Sequence, residues 1–518
     1  MLGYVLPLLI DTSFSWVRMF IALGLSMALG IGIGIYAAIN QKAEKVVIPV
    51  VDILQTLPIL AFFPFVIFVI VATLPGFIGI NAAVIFLIIT SMLWNIIFGV
   101  YEAVKSLPKE FMELAELYGM SASDKLRKIF IPASMPKVME QSTLSWAIGL
   151  FYLVTSEIFS TSNANYAVKH GIGVALTALA IGSNFAEYAV GILIFIAFVI
   201  ATRLLFFAPL ERYVNRYNEG SPKLGAVGRA RMLVSRLGHA HMLALHRHRM
   251  HKVALAHAVT AAQLQRTPIV KKRLGAERIT YALLAISAIA ALILSKQLMR
   301  DELFVLASLA ASFVRVWLAF VAIVVVAVPI SVYLIFMTKK PGAYVLLFQV
   351  IASIPATILL PLVVLSLRNA PMHSELVAFV IFFLSGIWYV VFSILSHRAY
   401  IQQSVFEVKK IFGVKGVQAW KKIYIYAILP GLLTGAVTGI AAEWNASIVA
   451  EYFTTTAIGS GAVVTSVSIG IGKLLDTALD SGNMPLMVLG LVNLTVMIIV
   501  INRFAWKRFY DRIGAVYR

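Results

Sequence analysis

Long apolar runs, separated by shorter polar segments, dominate the pattern of this chain. Each run is about 20 residues long, the length of a helix that crosses a lipid bilayer. Lipid offers backbone polar groups no partners, so such runs must be helical. The pattern predicts an all-α polytopic membrane protein with about eleven spans. The expected spans are Ser15–Ile39, Val47–Thr73, Ile80–Val100, Pro136–Glu157, Tyr188–Phe207, Ile279–Ser295, Phe304–Met337, Tyr344–Leu367, Leu376–Leu395, Ala427–Val449 and Leu486–Ile501.

The polar segments predict an orientation, because Lys and Arg collect in cytoplasmic loops. Eleven alternating spans place all the strongly basic segments on one side. We therefore expect a multi-pass protein of the plasma membrane with its amino terminus outside and its carboxyl terminus in the cytoplasm. The basic segments are Gln41–Lys45, Phe111–Lys137, Ala208–Arg278, Lys339–Lys340, His397–Lys422 and Arg503–Arg518.

Composition narrows the class further. The 518 residues are 61% hydrophobic and 13% charged, with a mean hydropathy of +0.92, which is too apolar for a soluble domain of this size. Basic cytoplasmic loops account for the net charge of +20, so no nucleic-acid partner is expected. The absence of cysteine excludes disulfides and thiolate metal sites. We expect no cleavable signal peptide, because Met1–Ile10 lacks a basic n-region.

An internal repeat divides the chain. SWVRMF at Ser15 matches SFVRVW at Ser312, and later landmarks such as Pro136 and Pro430 match at an offset of 294. Two like halves of this kind surround an axis along the membrane normal. We expect a first domain over residues 1–207 with five spans and a second over 279–518 with six. Residues 208–278 form a basic linker, expected to lie as a helix on the inner leaflet.

The segment Phe111–Pro136, FMELAELYGMSASDKLRKIFIPASMP, is the long charged segment of the first half. Its pattern predicts a helix that ends at Gly119 in the left-handed conformation, followed by a second helix that Ser121 and Ser123 can cap. Pro132 and Pro136 are expected to interrupt the hydrogen-bond ladder where the next span begins.

This segment resembles the EAA loop of ABC importer permeases, E-A-A-x3-G-x9-I-x-L-P, and differs from it at Leu114 and Ile131. The resemblance implies a type I ABC permease whose loop docks on an ATPase. The implied partners are two ABC ATPase subunits and an extracytoplasmic solute-binding protein. The chain has no P-loop, so ATP hydrolysis is expected on a partner chain. The implied docking residues of this loop are Glu113, Ala115, Gly119, Ile129 and Pro132.

The repeat register predicts a second docking loop at Glu407–Pro430. Glu407, Gly413 and Ile423 keep the spacing of the first loop. Val408 and Lys409 replace the small pair of the motif, and Tyr426 stands where the first proline is expected. We therefore expect this loop to dock less tightly or on a different surface.

Four duplicated charges are candidates for the transport pathway: Arg18, Glu157, Arg315 and Glu451. The acids could line the substrate cavity or close an outer gate. We favour a location at the headgroup boundary, where charge costs little. The arginines could pair with the acids or attract an anion, and snorkelling to the interface is at least as good an interpretation.

Glu443 and Trp444 are further pathway candidates. They lie in AEWNASIVAEYF, which is followed by AIGSG. This segment resembles permeases of the nitrate/sulfonate/taurine-type branch, and TSEIF with Gly171–Gly173 echoes it in the first half. The resemblance implies a small solute, with nitrate, sulfonate or taurine as candidates, and leaves cationic vitamins and iron open.

The sequence thus predicts the membrane permease of an ABC importer, which binds no cofactor and has no catalytic residues. The alternative is a secondary transporter with parallel repeats, driven by protons or sodium, for which Glu443 is the main embedded carboxylate. An enzyme is disfavoured because no catalytic constellation is present. Six histidines in residues 208–278 leave a metal-sensing cluster open as a minor alternative, so no metal site is assigned.

Overall fold

The computed structural model describes residues 2–56, 66, 69–71, 73–74, 76–159, 168–182, 184–215, 296–338, 344, 348, 351–352, 354–401, 414, 416–455 and 462–501. Within these ranges the chain is helical apart from turns and one antiparallel ribbon, which pairs β1 (Tyr452–Thr455) with β2 (Ala462–Ser466). The expected all-α class is confirmed.

The helices of the first half run in a simple order. They are α1 (Leu2–Ile39), α2 (Gln41–Thr56), α3 (Phe77–Lys105), α4 (Lys109–Leu117), α5 (Ala122–Lys125), α6 (Ile131–Phe159), α7 (Ile172–Ile181), α8 (Phe185–Thr202) and α9 (Ala208–Asn215). Turns of π-helix at Leu126–Phe130 and Arg203–Phe207 join α5 to α6 and α8 to α9 without a break.

The second half follows a similar plan. Its helices are α10 (Lys296–Phe336), α11 (Ala356–Leu367), α12 (His373–Ser396), α13 (Gly416–Ala419), α14 (Ile425–Glu451), α15 (Ile471–Asp480) and α16 (Met484–Ile501). A 3₁₀ turn at His397–Tyr400 follows α12, and a π-helical turn at Trp420–Tyr424 joins α13 to α14.

Several of these helices suit a bilayer, and the chain is a polytopic membrane protein. α6 is long enough to span but is not among the helices that are also apolar enough, and the expected span Ile279–Ser295 lies outside the described residues. The expected number of eleven is therefore not confirmed. In the described part, seven stretches are long and apolar enough to cross: Tyr4–Ile39, Phe77–Lys105, Phe185–Val214, Asp301–Phe336, His373–Ser396, Gly416–Glu451 and Met484–Ile501.

Both halves pack their helices in the same order. In the first half α3 lies between α1 and α6, and in the second half α12 lies between α10 and α14. A short helix, α7 or α15, then packs against the end of the third helix. The halves meet where α11 contacts α6 and α7, and the Tyr188 hydroxyl donates to the carbonyl oxygen of Ile358 there. This shared order brings equivalent residues of the repeat into equivalent places.

Candidate functional site

A buried cluster joins three helices in the first half. Glu157, near the end of α6, accepts hydrogen bonds from Arg18 Nη1 at 2.6 Å and from Ser15 Oγ at 2.6 Å, both on α1. The backbone N–H of Gly173, in the first turn of α7, donates to Glu157 Oε2 at 2.9 Å. The N–H of Ile172 donates to Ser15 Oγ at 3.0 Å. The carboxylate therefore ties α1, α6 and α7 together.

The second half repeats these four hydrogen bonds between the equivalent atoms. Glu451, at the end of α14, accepts from Ser312 Oγ at 2.6 Å and from Arg315 Nη1 at 3.1 Å, both on α10. The N–H of Gly472 in α15 donates to Glu451 Oε2 at 2.8 Å, and the N–H of Ile471 donates to Ser312 Oγ at 2.8 Å. The arrangement is thus a property of the repeat.

The short helices explain why a carboxylate suits this place. The first N–H groups of a helix have no partner within it, and its amino terminus favours negative charge. Each acid also lies against the glycine before its short helix: a Cβ on Gly171 would stand 2.6 Å from Glu157 Cδ, and a Cβ on Gly470 would stand 2.6 Å from Glu451 Cδ. A larger residue there would push the acid off the helix end.

Two sequence interpretations are wrong at these positions. The acids do not face lipid headgroups or water, because Glu157 and Glu451 are both 0% exposed, inside the protein. Arg18 does not snorkel, since it is 3% exposed and turned inward onto Glu157. Arg315 likewise contacts Glu451 rather than the interface. The arginines instead pair with the acids, which was the alternative interpretation of the sequence. The pairs are buried because a short helix covers each acid.

The two clusters differ in what each arginine contacts besides its acid. Arg18 donates from Nε to Asn81 Oδ1 at 2.7 Å and from Nη2 to the carbonyl oxygen of His170 at 2.6 Å. Arg315 instead holds Glu375 with two bonds, from Nε at 2.5 Å and from Nη2 at 2.8 Å. Asn81 and Glu375 are equivalent in the repeat, at the offset of 294. The second cluster therefore carries one more negative charge than the first.

A second candidate site is the loop around Gly119. α4 ends before Gly119, whose φ of 60° is the left-handed conformation that favours glycine. Ser121 caps α5, accepting from the N–H of Asp124 at 3.1 Å. The predicted helix–Gly–helix is therefore present. Ala115 is buried and Glu113 is exposed.

The prolines after this loop lie within the helix and do not end it, although neither has an N–H to donate to the hydrogen-bond ladder. α5, the π-helical turn and α6 form one continuous helix, with Pro132 in the first turn of α6 and Pro136 inside it. The N–H of Ile131 reaches back five residues to the carbonyl oxygen of Leu126. Because this wider turn comes just before Pro132, the ring has room and the ladder resumes beyond it.

The first half also matches a known family. The family model for the inner membrane component of binding-protein-dependent transport systems covers residues 30–217. This region is a permease domain of that family. It contains the loop around Gly119 and the acid Glu157, and it ends two residues beyond α9.

Curated relatives of the permease domain transport several solutes. The chain is 30% identical over 135 residues to the bicarbonate transport permease CmpB of Synechococcus elongatus and 29% identical over 135 residues to the nitrate import permease NrtB of Leptolyngbya laminosa. Each match covers 26% of this chain and 45% of the relative. The glycine betaine permease OpuAB of Bacillus subtilis is 24% identical over 161 residues, 29% of this chain and 53% of the relative. The chain thus spans about half the length of these relatives.

The segment predicted to be a second docking loop is only partly described. Glu407 and Gly413 lie outside the described residues. Ile423 is buried in the π-helical turn before α14, at the position equivalent to Ile129, which is half-buried. Tyr426, which replaces Pro132 in the repeat, is exposed, and the π-helical turn is present without a proline. The wider turn is therefore a feature of both halves that does not depend on Pro132.

Glu443 and Trp444 lie two turns before Glu451 on α14, and both are buried. The Glu443 carboxylate faces Gly386 of α12 and Ile323 of α10. It belongs to neither charge cluster. Its part in a pathway, like that of the four clustered charges, stays a prediction.

Sequence reasoning missed several residues of these clusters. Ser15 and Ser312 stand in the repeated motif that contains the arginines, yet their hydrogen bonds to the acids were not predicted. The counterpart of Gly171–Gly173 is Gly470–Gly472, in SIGIG, rather than the earlier AIGSG. The signal was the repeated Gly-Ile-Gly at an offset of 299.

Proposed function

We propose that this chain is the membrane permease of an ABC importer. It forms the pathway for a small solute and couples to two separate ATPase subunits, with an extracytoplasmic binding protein delivering the solute. The permease domain at residues 30–217 supports this. Relatives named for bicarbonate, nitrate and glycine betaine agree with a small solute. Nitrate, sulfonate and taurine are the candidates.

The observation that carries the proposal is the exposed face of α4. Leu117 is 81% exposed and Tyr118 is 79% exposed, and Phe111 and Leu114 on the same short helix are also exposed. Charged residues, Glu113 among them, surround these side chains, so lipid is a poor partner for them. An apolar patch with a polar rim is typical of a protein interaction site. The ATPase is the partner that the EAA pattern of this loop indicates.

A continuous helix begins just after this patch and ends at the first charge cluster. From Ala122 to Phe159 the chain is helical without a break, a distance of roughly 55 Å at 1.5 Å per residue. Glu157 lies at the far end and ties α6 to α1 and α7. Displacement of the loop by an ATPase would therefore reach the opposite end of the bundle along one continuous helix. This is how nucleotide binding would shift the population between two membrane conformations.

The chain contains no cysteine, so a single Leu117→Cys variant can be labelled without background. We expect a membrane-impermeant maleimide to label it in inverted vesicles and not in intact cells. Assembly with the ATPase should protect it. Labelling from outside the cell would overturn the proposed orientation and the docking role together.

Coupling can be tested with a matched pair of variants. Leu117→Asp places a charge in the exposed patch, whereas Ser106→Asp adds the same charge at the exposed end of α3, beside α4. We expect Leu117→Asp to abolish co-purification of an ATPase and solute-stimulated ATP hydrolysis, and Ser106→Asp to retain both. Equal behaviour of the two variants would contradict docking at this patch.

A secondary transporter is the second candidate, favoured by the carboxylate of Glu443 buried in a span. It would transport the solute in liposomes without any ATPase, driven by an ion gradient. The importer requires ATP and the partner subunits. Transport by the purified chain alone would decide for the second candidate.

A further inference from the structure

The repeat exchanges a small and a large residue at one packing position. In the first half the methyl group of Met92 on α3 packs against Gly149 on α6. Both positions recur at an offset of 294 as Gly386 on α12 and Glu443 on α14. The side chain that fills the space thus comes from α3 in the first half and from α14, the counterpart of α6, in the second half. The space itself needs only an apolar group, because Met92 fills it in the first half.

Glu443 fills that space with a carboxyl group that has no polar partner among the described residues. Glu443 is 0% exposed, and neither Oε1 nor Oε2 has a hydrogen bond within the described part of the chain. A Cβ added to Gly386 would stand 2.6 Å from Oε1 and 2.7 Å from Cδ1 of Ile323. The carboxyl group therefore lies beside the backbone of Gly386 and the apolar side chain of Ile323, away from solvent.

The titratable groups on the surrounding helices do not balance a charge here. On α12 the nearest along the chain is Tyr389, one turn beyond Gly386, which is neutral. On α10 it is Arg315, two turns before Ile323, and on α14 it is Glu451, two turns beyond Glu443. Those two are bound to each other. An ionised carboxylate buried without a counter-charge is strongly disfavoured, whereas the neutral acid is tolerated.

We propose that Glu443 is a proton-binding site: it carries a proton in the packing described here and releases it when α12 and α14 separate. The state in which α12 and α14 are packed together then binds one more proton than the state in which they are separated. Its stability relative to that state therefore falls as pH rises. If the proposed import function holds, this site makes the conformational equilibrium of the importer sensitive to pH.

Infrared spectroscopy of the purified full chain tests protonation directly. The wild type at neutral pH should show the carbonyl band of a protonated carboxylic acid, and this band should be missing from Glu443→Gln. A variant that carries both Gly386→Met and Glu443→Gly restores the packing of the first half and should also lack the band. It supplies the reference if Glu443→Gln fails to fold. A wild type without this band would overturn the proposal.

Thermal unfolding across pH supplies a second readout. The folding equilibrium of the wild type should weaken relative to Glu443→Gln by up to about tenfold for each pH unit above the titration of Glu443 in the unfolded chain. The doubly substituted variant should follow Glu443→Gln. A wild type whose stability rises with sodium concentration would instead indicate a bound cation, which contradicts a bound proton. Neither readout needs an ATPase or transport, so failure here is distinct from failure of the importer proposal.

Discussion

The charge clusters of the two halves share an acid, an arginine, a serine and a helix amino terminus, but differ in one partner. Asn81 contacts Arg18 in the first half, and Glu375 contacts Arg315 in the second. The shared acids and serines are 0% exposed, whereas Glu375 is 28% exposed. Burial thus explains which part of the cluster the repeat retains. An unpaired charge is costly inside, and a change of charge is tolerated where water reaches.

The difference also sets the charge balance. Arg18 and Glu157 neutralise each other, while Arg315 faces both Glu375 and Glu451. The second half therefore depends more on its arginine than the first half does.

The largest effect is expected from removing an arginine. Arg315→Met leaves two carboxylates without their shared arginine and should lower the free energy of unfolding by about 3–5 kcal/mol, the cost of breaking a buried pair. Arg18→Met leaves one carboxylate and should fall at the lower end of that range. Denaturant unfolding in detergent measures both. A larger loss for Arg18→Met would contradict the charge balance described here.

A smaller loss of stability is expected from substitution of the glycines that face the acids. Gly171→Ala and Gly470→Ala place a methyl group against a buried carboxylate and should each cost about 1–3 kcal/mol, the range for overpacking. Gly24→Ala is the control, since nothing lies within 4 Å of a Cβ there. It should stabilise α1 by about 0.5–1 kcal/mol. Equal effects at all three glycines would exclude the close contact as the cause.

The repeat made part of these clusters predictable. It identified Glu157 with Glu451 and Arg18 with Arg315, and the apolar runs predicted the long helices that hold them. It did not predict their burial. A charge near the end of an apolar run looks the same in sequence whether it faces headgroups or a covering helix. The covering helix α7 lies in a segment that the apolar pattern assigns to a loop.

Other features had weaker signals or none. The exchange of Met92 and Gly149 for Gly386 and Glu443 can be read from the offset of 294 once contacts are known, but contacts do not follow from hydropathy. The π-helical turn before Ile131 has no sequence marker, because its counterpart forms with Tyr426 in place of Pro132. The loop around Gly119 was predicted well, because a left-handed glycine and a serine cap are local features.

The third expected effect comes from the arginine's partner that differs between the two halves. Glu375→Asn gives the second cluster the composition of the first and should cost about 1 kcal/mol, the difference between charge-assisted and neutral hydrogen bonds. Asn81→Glu is the reciprocal variant and should bring the charge balance of the first cluster closer to that of the second. With both variants in hand, the loss caused by Arg315→Met should shrink in the Glu375→Asn background. An unchanged loss would show that Glu375 and Arg315 are not coupled.

The smallest effect is expected in the loop around Gly119 and its counterpart in the second half. Lys128 hydrogen-bonds Asp124 at 2.7 Å and, together with Ser121, lowers the pKa of the Asp124 carboxyl. A lowered pKa means that the contact stabilises the loop above the ordinary pKa of aspartate and is lost as pH falls through the lowered value.

The equivalent of Asp124 in the second half is Gln418, so this contact is confined to the first loop. Asp124→Asn should speed hydrogen exchange in residues 119–128 at neutral pH and leave residues 416–422 unchanged. Acidifying the wild type should have the same local effect. Faster exchange in both loops would mean that the substitution acts through the bundle rather than through the contact with Lys128.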